Sequence, residues 1–230
     1  MGINCVRPVD PLCALIPRAD KIDVSLIKES KMPIIFMIGG PGAGKTTQCI
    51  RVAKHYGFCA IVTRELLRTE VVTGSRRGVI LAHLMSRDKL VPADVMVELI
   101  KEKMLGNLHT RGFLLGGFPR EKKQCKNFNM HIRPPDLVLF LSVRDSLLMD
   151  RILARTITAR HRQVRSFDEY LKRVKEHDKM IQPILRYYRK QLVTINGEND
   201  ETEVFEDICA AIDNVLKNLP STSTVKAVNH

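Results

Sequence analysis

The chain has 230 residues, and 44% of them are hydrophobic, which is enough for one α/β domain or two very small ones and excludes a disordered chain. Its 37 basic and 25 acidic residues give a net charge of +12. This excess indicates an anionic partner such as phosphates, nucleic acid or an acidic membrane, with a merely solvated basic surface as the alternative. No apolar run reaches the ~20 residues that a membrane-spanning helix needs.

The six cysteines and seven histidines show none of the usual spacings of a metal site. No cysteine pair has the two-residue spacing of a metal knuckle, and no HExxH motif occurs. We therefore expect no metal centre built directly from these side chains. The cysteine usage fits a reduced, cytoplasmic protein.

The first 31 residues are predicted to be an extension with a short helix near residues 24–28. Charged residues at positions 10, 18, 20 and 21 interrupt the segment, so it lacks the apolar centre of a signal peptide. Gly2 offers a myristoylation site and Cys5 a palmitoylation site, but Val6 stands where Ser or Thr is usual. An acylated N-terminus and an ordinary one are both open readings.

Five short apolar runs predict the strands of one parallel sheet, at residues 33–38, 58–62, 113–115, 137–142 and 192–195. Helices are predicted at residues 45–55, 63–72, 79–87, from Pro92 onward, 147–155, from 167 onward and 204–219. Strands that alternate with helices indicate an α/β fold with a five-stranded parallel sheet covered on both faces. Ligands in such folds bind beyond the carboxyl ends of the strands.

Two of these helices show a clear buried face. In the helix after Pro92, the apolar residues fall at positions i, i+3, i+4 and i+8: Met96, Leu99, Ile100 and Met104. The helix from residue 167 is expected to carry inward Leu171, Val174, Ile181 and Leu185. Pro183 is expected to kink this second helix.

Directly after the first predicted strand comes the sequence GGPGAGKTT, from Gly39 to Thr47, which satisfies the P-loop pattern G-x-x-x-x-G-K-[ST]. A buried strand before it and a helix after it provide the context that the motif requires. Glycines let successive backbone N–H groups wrap one phosphate, and the following helix adds its positive end. Lys45 is expected to reach the β and γ phosphates, and Thr46 or Thr47 to offer a hydroxyl to Mg²⁺. The motif predicts nucleoside triphosphate binding without specifying the reaction.

Further motifs resemble those of the adenylate kinases, in their short-lid, cytosolic form. In order along the chain they are VTRELLR at 62–68, LVP at 90–92, GFPR at 117–120 with Gln124, and an arginine-rich segment after Arg151. Together with the P-loop, the ordered set covers residues 31–219, nearly the whole chain.

The resemblance implies a P-loop nucleotide kinase fold at residues 32–220. Within it a helical monophosphate-binding arm at about 62–91 and a short lid at about 155–166 are expected, with a flexible tail at 221–230. The implied reaction is ATP + AMP giving two ADP, with Mg²⁺ accompanying ATP. Such a protein is expected to be a cytoplasmic monomer without nucleic-acid partners, and its basic charge suits a cleft holding two nucleotides.

The resemblance also assigns site residues, one position at a time. ATP contacts are expected from Gly42, Ala43, Gly44, Lys45, Thr46, Thr47 and Arg155. AMP contacts are expected from Thr63, Arg68, Lys89, Leu90, Val91, Gly117, Phe118, Pro119, Arg120, Gln124, Arg162 and Arg173. Catalysis is assigned to Lys45, Arg120, Arg155, Arg162 and Arg173, and Thr46 is the candidate Mg²⁺ ligand. Arg160 and Arg165 compete with Arg162, because this segment aligns only with a one-residue insertion.

Several positions depart from the family pattern in a common direction. The family's strand-three aspartate, which holds water on Mg²⁺, is Gly116, and the lid's paired aspartates are Val164 and Arg165. A family glycine beside the AMP pocket is Arg64, and the glycine after the P-loop lysine is Thr46. Acidic groups are thus lost while positive charge is kept or increased, so phosphate binding should survive better than metal organisation.

Three hypotheses follow from this pattern. The first is an adenylate kinase, active but with altered rate or metal use, supported by the retained lysine, arginines and Gln124. The second is a nucleotide-binding pseudokinase that acts as a scaffold or sensor, supported by the missing carboxylates. The third, nucleic-acid binding through charge, lacks aromatic platforms and any recognised module.

Overall fold

The computed structural model describes residues 10–19, 22–158 and 167–218. Its five-stranded sheet has the order β2-β3-β1-β4-β5, and all four neighbouring pairs are parallel. The strands are β1 (Ile34–Gly39), β2 (Cys59–Val62), β3 (Phe113–Gly116), β4 (Leu137–Ser142) and β5 (Leu192–Asn196). The prediction of an α/β fold with five parallel strands is confirmed.

The first described element is a 3-10 helix at Pro11–Leu15, and α-helices then alternate with the strands. They are α1 (Ser25–Glu29), α2 (Lys45–Tyr56), α3 (Thr63–Val72), α4 (Arg76–Ser86), α5 (Ala93–Leu105), α6 (Lys122–His131), α7 (Asp145–Thr158), α8 (Phe167–Tyr187) and α9 (Glu201–Asn218). The expected inner face of α5 is buried, as are Val174 and Ile181 on α8, while α8 continues through Pro183.

The central strand β1 is buried along its whole length. Because side chains alternate along a strand, Phe36 points into one apolar layer and Met37 into the other. In the first layer the rings of Phe118, Phe128 and Tyr188 lie 5.4, 4.9 and 5.7 Å from the ring of Phe36, in edge-to-face contact. Helices therefore cover both faces of the sheet, as the apolar strands require.

Helix α6 was missed by the sequence analysis, which assigned no element to residues 122–131. The segment KKQCKNFNMH is mostly polar, and its buried residues are Gln124, Cys125 and Phe128. These three positions share one narrow helical face, so the helix is stabilised by tertiary packing rather than by a broad apolar stripe.

Three predicted helices begin earlier than the apolar pattern indicated. Helix α4 begins at Arg76 rather than residue 79, because the Ser75 hydroxyl accepts the N–H of Gly78 at 2.9 Å and caps the first turn. Helix α9 begins at Glu201 rather than residue 204, where the Asp200 carboxylate accepts the N–H of Thr202 at 2.8 Å. Helix α7 begins at Asp145 and extends to Thr158. Apolar periodicity locates the middle of a helix, whereas polar caps decide its first turn.

The segment before β1 is packed into the domain. The predicted short helix is present as α1, and Cys13, Ile16 and Ile27 are buried in the same apolar layer as Leu81 and Leu84 of α4. Polar contacts add to this packing, since Arg18 Nε lies 2.7 Å from the carboxylate of Asp94 at the start of α5. No helix within the described residues has both the length and the hydrophobicity to cross a membrane.

Candidate active site

The P-loop connects β1 to α2 at the carboxyl edge of the sheet. Gly42 and Gly44 have φ values of 90° and 86°, which side chains rarely adopt. Gly40 lies against α7, where a Cβ atom would come within 2.5 Å of Leu148 Cδ1. Of the expected ATP contacts, Gly42, Ala43 and Gly44 lie in the loop, and Lys45, Thr46 and Thr47 form the first turn of α2. The loop therefore has the backbone shape and the following helix that the motif predicted.

The Lys45 ammonium group folds back over this loop. Its Nζ donates to the carbonyl oxygens of Gly39 at 2.8 Å and Gly40 at 2.6 Å. Burial, together with positive charges nearby, lowers the pKa of Lys45 to about 7. An anion bound in the loop would raise the pKa of Lys45 again, because its negative charge favours the charged ammonium group.

The charges that act on Lys45 come from separate parts of the chain. They belong to Arg64 in the first turn of α3, Arg120 after β3 and Arg155 in α7. Partial desolvation lowers the pKa of Arg120, and the charge of Arg173 on α8 lowers it further. The fold thus gathers like charges that repel one another at the strand ends, an arrangement that bound phosphates would stabilise.

His177 on α8 also lies beside the P-loop, although no sequence pattern indicates it. Its pKa is lowered to about 4, mainly by burial and then by the charges of Lys45 and Arg120. The carboxylate of Asp145 and a hydrogen bond to the Gly39 backbone oppose this shift. His177 is therefore neutral at neutral pH, and its lowered pKa reflects both its burial and the positive charges around it.

The end of β3 forms the other side of the cleft. Val62 and Met37 lie opposite Gly116 in the neighbouring strands, so α3, the P-loop and the GFPR turn start from one edge. The hydroxyl of Thr63, which is 4% exposed, donates to the carbonyl oxygens of Gly116 at 3.3 Å and Gly117 at 3.2 Å. Thr63 thus fixes α3 to the strand end.

Gln124 secures the GFPR turn from α6. Its side-chain oxygen accepts the N–H of Arg120 at 2.8 Å, and the residue is 3% exposed. Phe118 is buried in the core and Pro119 is also buried, whereas the Arg120 side chain is open to the cleft. The turn is therefore held in place by its buried residues, while the charged side chain of Arg120 extends from it.

The expected arm residues differ in their surroundings. Arg68 is exposed and pairs with Glu65 on the same helix, Nη1 to Oε1 at 2.8 Å. Of the segment expected to line the AMP base, Val91 is buried, Leu90 is half-buried and Lys89 is exposed. On the opposite side, Arg173 contacts the carboxylate of Asp88, a residue that the sequence analysis did not single out.

Gly116 is the most informative departure from the family pattern. A Cβ atom there would lie 2.6 Å from the thiol sulfur of Cys49 on α2. Cys49 is fully buried, with its sulfur 3.6 Å from that of Met37, and burial raises the pKa of its thiol to about 12. The strand end thus has no carboxylate, and an inert thiol fills the space beside it. Within the described residues, no cluster of three or more His, Cys, Asp or Glu side chains forms a metal site.

The expected lid lies largely outside the described residues. Arg155 precedes it near the end of α7 and is exposed, while Arg151 in the same helix donates from Nη1 to the carbonyl oxygen of Gly197 at 2.8 Å. Arg162, with its competitors Arg160 and Arg165, falls outside the described part of the chain, as does Val164.

Comparison with known proteins agrees with this geometry. A family model for adenylate kinase matches residues 37–193. Adenylate kinase isoenzyme 5 of Mus musculus is 38% identical over 189 residues, 81% of this chain and 34% of the relative, so this chain spans about a third of its length. Isoenzyme 1 of Gallus gallus is 36% identical over 184 residues, 78% of this chain and 94% of the relative. Isoenzyme 1 of Homo sapiens is 34% identical over 190 residues, 81% of this chain and 97% of the relative. With a family model that covers most of its length and relatives matched nearly end to end, the chain belongs to the adenylate kinase family.

Proposed function

We propose that this protein transfers the γ-phosphoryl group of ATP to AMP and forms two molecules of ADP. The observation that carries the proposal is the position of Lys45, whose pKa is lowered to about 7 in a cleft charged by arginines from three elements. The positive charges that act on Lys45 favour the entry of phosphates into this cleft. Membership of the adenylate kinase family supports the same assignment.

The chemistry suits residues that position groups and supply charge. A phosphate oxygen of AMP attacks the γ phosphorus of ATP, the bond from that phosphorus to the β-bridging oxygen breaks, and ADP leaves. The attacking oxygen is already ionised, so the step needs no general base. Charge spreads over the transferred group, and fixed cations stabilise it most where water is excluded.

Each cation has a part in this step. Lys45 holds the β and γ phosphates in the loop, and Arg120 and Arg173 hold the monophosphate and the transferring group from the β3 and α8 sides. Arg68 reaches the monophosphate from the arm after releasing Glu65. Arg155 contacts ATP, and Arg162 is assigned with Arg173 to the transferring group. The neutral state of His177 keeps a further positive charge out of the cleft.

The hydroxyl of Thr46, which is exposed at the start of α2, would hold a magnesium ion bound together with the ATP phosphates. The residues present do not fit an ion whose water is held by the end of β3, because Gly116 has no side chain there. When bound, the ion would neutralise phosphate charge. The arginines around Lys45 supply part of the same charge.

A coupled assay for ADP tests the proposal, with Mg-ATP and AMP as substrates and CMP, UMP and GMP as alternative acceptors. The Lys45→Met variant, purified in parallel, serves as the blank for contaminating kinases. We expect ADP formation above this blank with AMP as the preferred acceptor, because Thr63 and Gln124 stand at the positions expected to contact AMP. Faster transfer to another monophosphate would refute the AMP assignment, and no transfer to any acceptor would refute the kinase assignment.

The vacant strand end favours a second candidate, a nucleotide-binding member of the family without useful catalysis. This candidate predicts calorimetric binding of ATP and of a bisubstrate mimic that joins two adenosines, with no ADP formed even at high protein concentration. The absence of binding of both ligands would refute both candidates.

We also propose the division into an arm at about 62–91 and a lid at about 155–166, within a kinase domain at 32–220 flanked by segments 1–31 and 221–230. Limited proteolysis should cleave the arm and lid less readily when the bisubstrate mimic is bound. A cytoplasmic location and a monomeric state are predictions that fractionation and light scattering would check.

A further inference from the structure

The contact between Asp88 and Arg173 joins the two sides of the cleft. Asp88 follows α4, at the end of the proposed arm, and Arg173 lies in α8, 85 residues further along the chain. The Arg173 Nη2 atom donates to Asp88 Oδ1, and both side chains are partly exposed, at 30% and 38%. A carboxylate on the arm thus holds the arginine that the proposed function assigns to the transferring phosphoryl group.

The backbone of Asp88 has a conformation that side-chain-bearing residues rarely adopt. Its φ is +52°, and within the described residues it is the one non-glycine position with a positive φ. The backbone N–H of Asp88 donates to the carbonyl oxygen of Met85 at 3.2 Å, and the N–H of Lys89 donates to the carbonyl oxygen of Leu84 at 2.9 Å. These two bonds close the last turn of α4. Glycine is the usual residue where a helix ends in this conformation, although aspartate tolerates it better than most.

The partner arginine lies near charged groups of both signs, since Glu169 and Glu176 on its own helix favour its charged form. The charge of Arg173 acts on Arg120, which in turn acts on Lys45. A guanidinium group binds carboxylate and phosphate oxygens through the same N–H groups. Asp88 therefore offers Arg173 an anionic partner of the kind that a bound phosphate would also offer.

We propose that Asp88 is a positioning residue that occupies Arg173 in the nucleotide-free protein and is displaced by the phosphate of the monophosphate substrate. This inference rests on the proposed function, because it takes Arg173 as a phosphate ligand. Substrate binding then exchanges one anion for another at Arg173, and part of the binding free energy is used to release Asp88. The release also breaks this ion pair between the end of the arm and α8.

Calorimetric titration of AMP into the Asp88→Asn variant tests this inference. The substitution removes the charge, keeps the shape and tolerates the positive φ. Partly exposed ion pairs of this kind correspond to about a two- to fivefold change in affinity, so we expect the AMP dissociation constant to fall by that factor. Asp88→Gly, which also suits the backbone, should give the same gain.

Two controls separate this role from a general effect of charge or folding. Asp94→Asn removes a carboxylate that pairs with Arg18 at 2.7 Å at the start of α5, and it should leave AMP affinity unchanged. In an Arg173→Met background, Asp88→Asn should no longer tighten AMP binding. Thermal unfolding of every variant verifies that it is folded.

The outcomes distinguish this inference from the proposed function. If the unmodified protein does not bind AMP, both fail. If it binds AMP but both Asp88 variants leave the affinity unchanged or weaken it, only the role of Asp88 is overturned. A gain that persists in the Arg173→Met background would also overturn it, because the effect would not pass through Arg173.

Discussion

Two regions of this molecule that contain arginines differ in how their positive charges are balanced. At the base of the arm, Arg77 donates to Glu70, Glu98 and Glu102 at 2.8–3.1 Å and its side chain is 17% exposed. Hydrogen bonds to Glu70 and then Glu102 raise the pKa of Arg77, and the same contact lowers that of Glu70. Every charge in this region has its partner within the protein.

In the cleft the balance is reversed. Burial and then the positive charges of Arg120, Arg155 and Arg64 lower the pKa of Lys45, whereas the carboxylates around Arg77 raise the pKa of that residue. A cation whose counter-charges belong to the protein contributes to stability, whereas Lys45, on which other positive charges act, is suited to bind an anion. Substitutions in the two regions should therefore separate function from stability.

The largest expected effect is the loss of activity in Lys45→Met. Removing a preorganised charge at the transferring group costs on the order of 10²–10³ in rate, measured as kcat in the coupled assay. Urea unfolding should show little loss of stability, because relief of the desolvated Lys45 charge offsets the loss of its hydrogen bonds to Gly39 and Gly40. Lys54→Met, at an exposed position of the same helix, is the matched control and should change neither quantity. A marked loss of stability in Lys45→Met would show that Lys45 is a structural cation like Arg77.

Arg77→Met should show the opposite pattern. It leaves the half-buried Glu70 and Glu98 without their counter-charge, and we expect the free energy of unfolding to fall by about 2–4 kcal/mol. Arg68→Met on the neighbouring arm helix removes an exposed pair with Glu65 and should cost less than about 1 kcal/mol while weakening AMP binding. Urea titrations of both variants measure the difference, and equal losses of stability would contradict the contrast between a structural and a functional arginine.

His177 should make the stability of the folded protein fall at acid pH. The folded-state pKa is about 4, below the ordinary value of about 6.5, so the unfolded chain binds the proton first as pH falls. The stability associated with neutral His177 is fully present above pH 6.5 and is lost as pH falls from about 6.5 to 4, by about 1–3 kcal/mol. His177→Gln should flatten the fall of the urea midpoint over that pH range. Equal slopes in the two proteins would show that the imidazole is not held neutral by its surroundings.

Residue patterns predict those parts of the cleft whose residues are consecutive in the chain. The P-loop was predictable because its glycines, lysine and threonines are consecutive and lie between an apolar strand and a helix. Strands β1 and β3 were predictable because an unbroken apolar run can be buried on both faces. Helix α6 was not, since its burial depends on Cys125 and Phe128 meeting a core assembled from distant segments.

The same limit applies to the side chains that complete the site. His177 and Asp88 carry no local pattern, and their roles depend on contacts with the P-loop and with Arg173 that only the folded chain brings together. The sequence showed that Gly116 lacks a carboxylate, but it could not show what fills the space. Cys49 reaches that space from α2, and its distance to a Cβ atom at Gly116 decides how the position responds to substitution.

A substitution at Gly116 tests whether the arginines of the cleft replace the missing carboxylate of the strand end. A carboxylate there would give the cleft an acid to hold water on magnesium, which should raise Mg-dependent activity. The Cβ atom of Gly116→Asp would also press on the Cys49 thiol at 2.6 Å, and overpacking of this kind costs about 1–3 kcal/mol. Cys49→Ala relieves the contact, so the double variant should recover stability and exceed Cys49→Ala alone in rate at millimolar Mg²⁺. If the rates of these two proteins are equal while ATP binding is intact, charge compensation in this cleft comes from the arginines and not from the strand end.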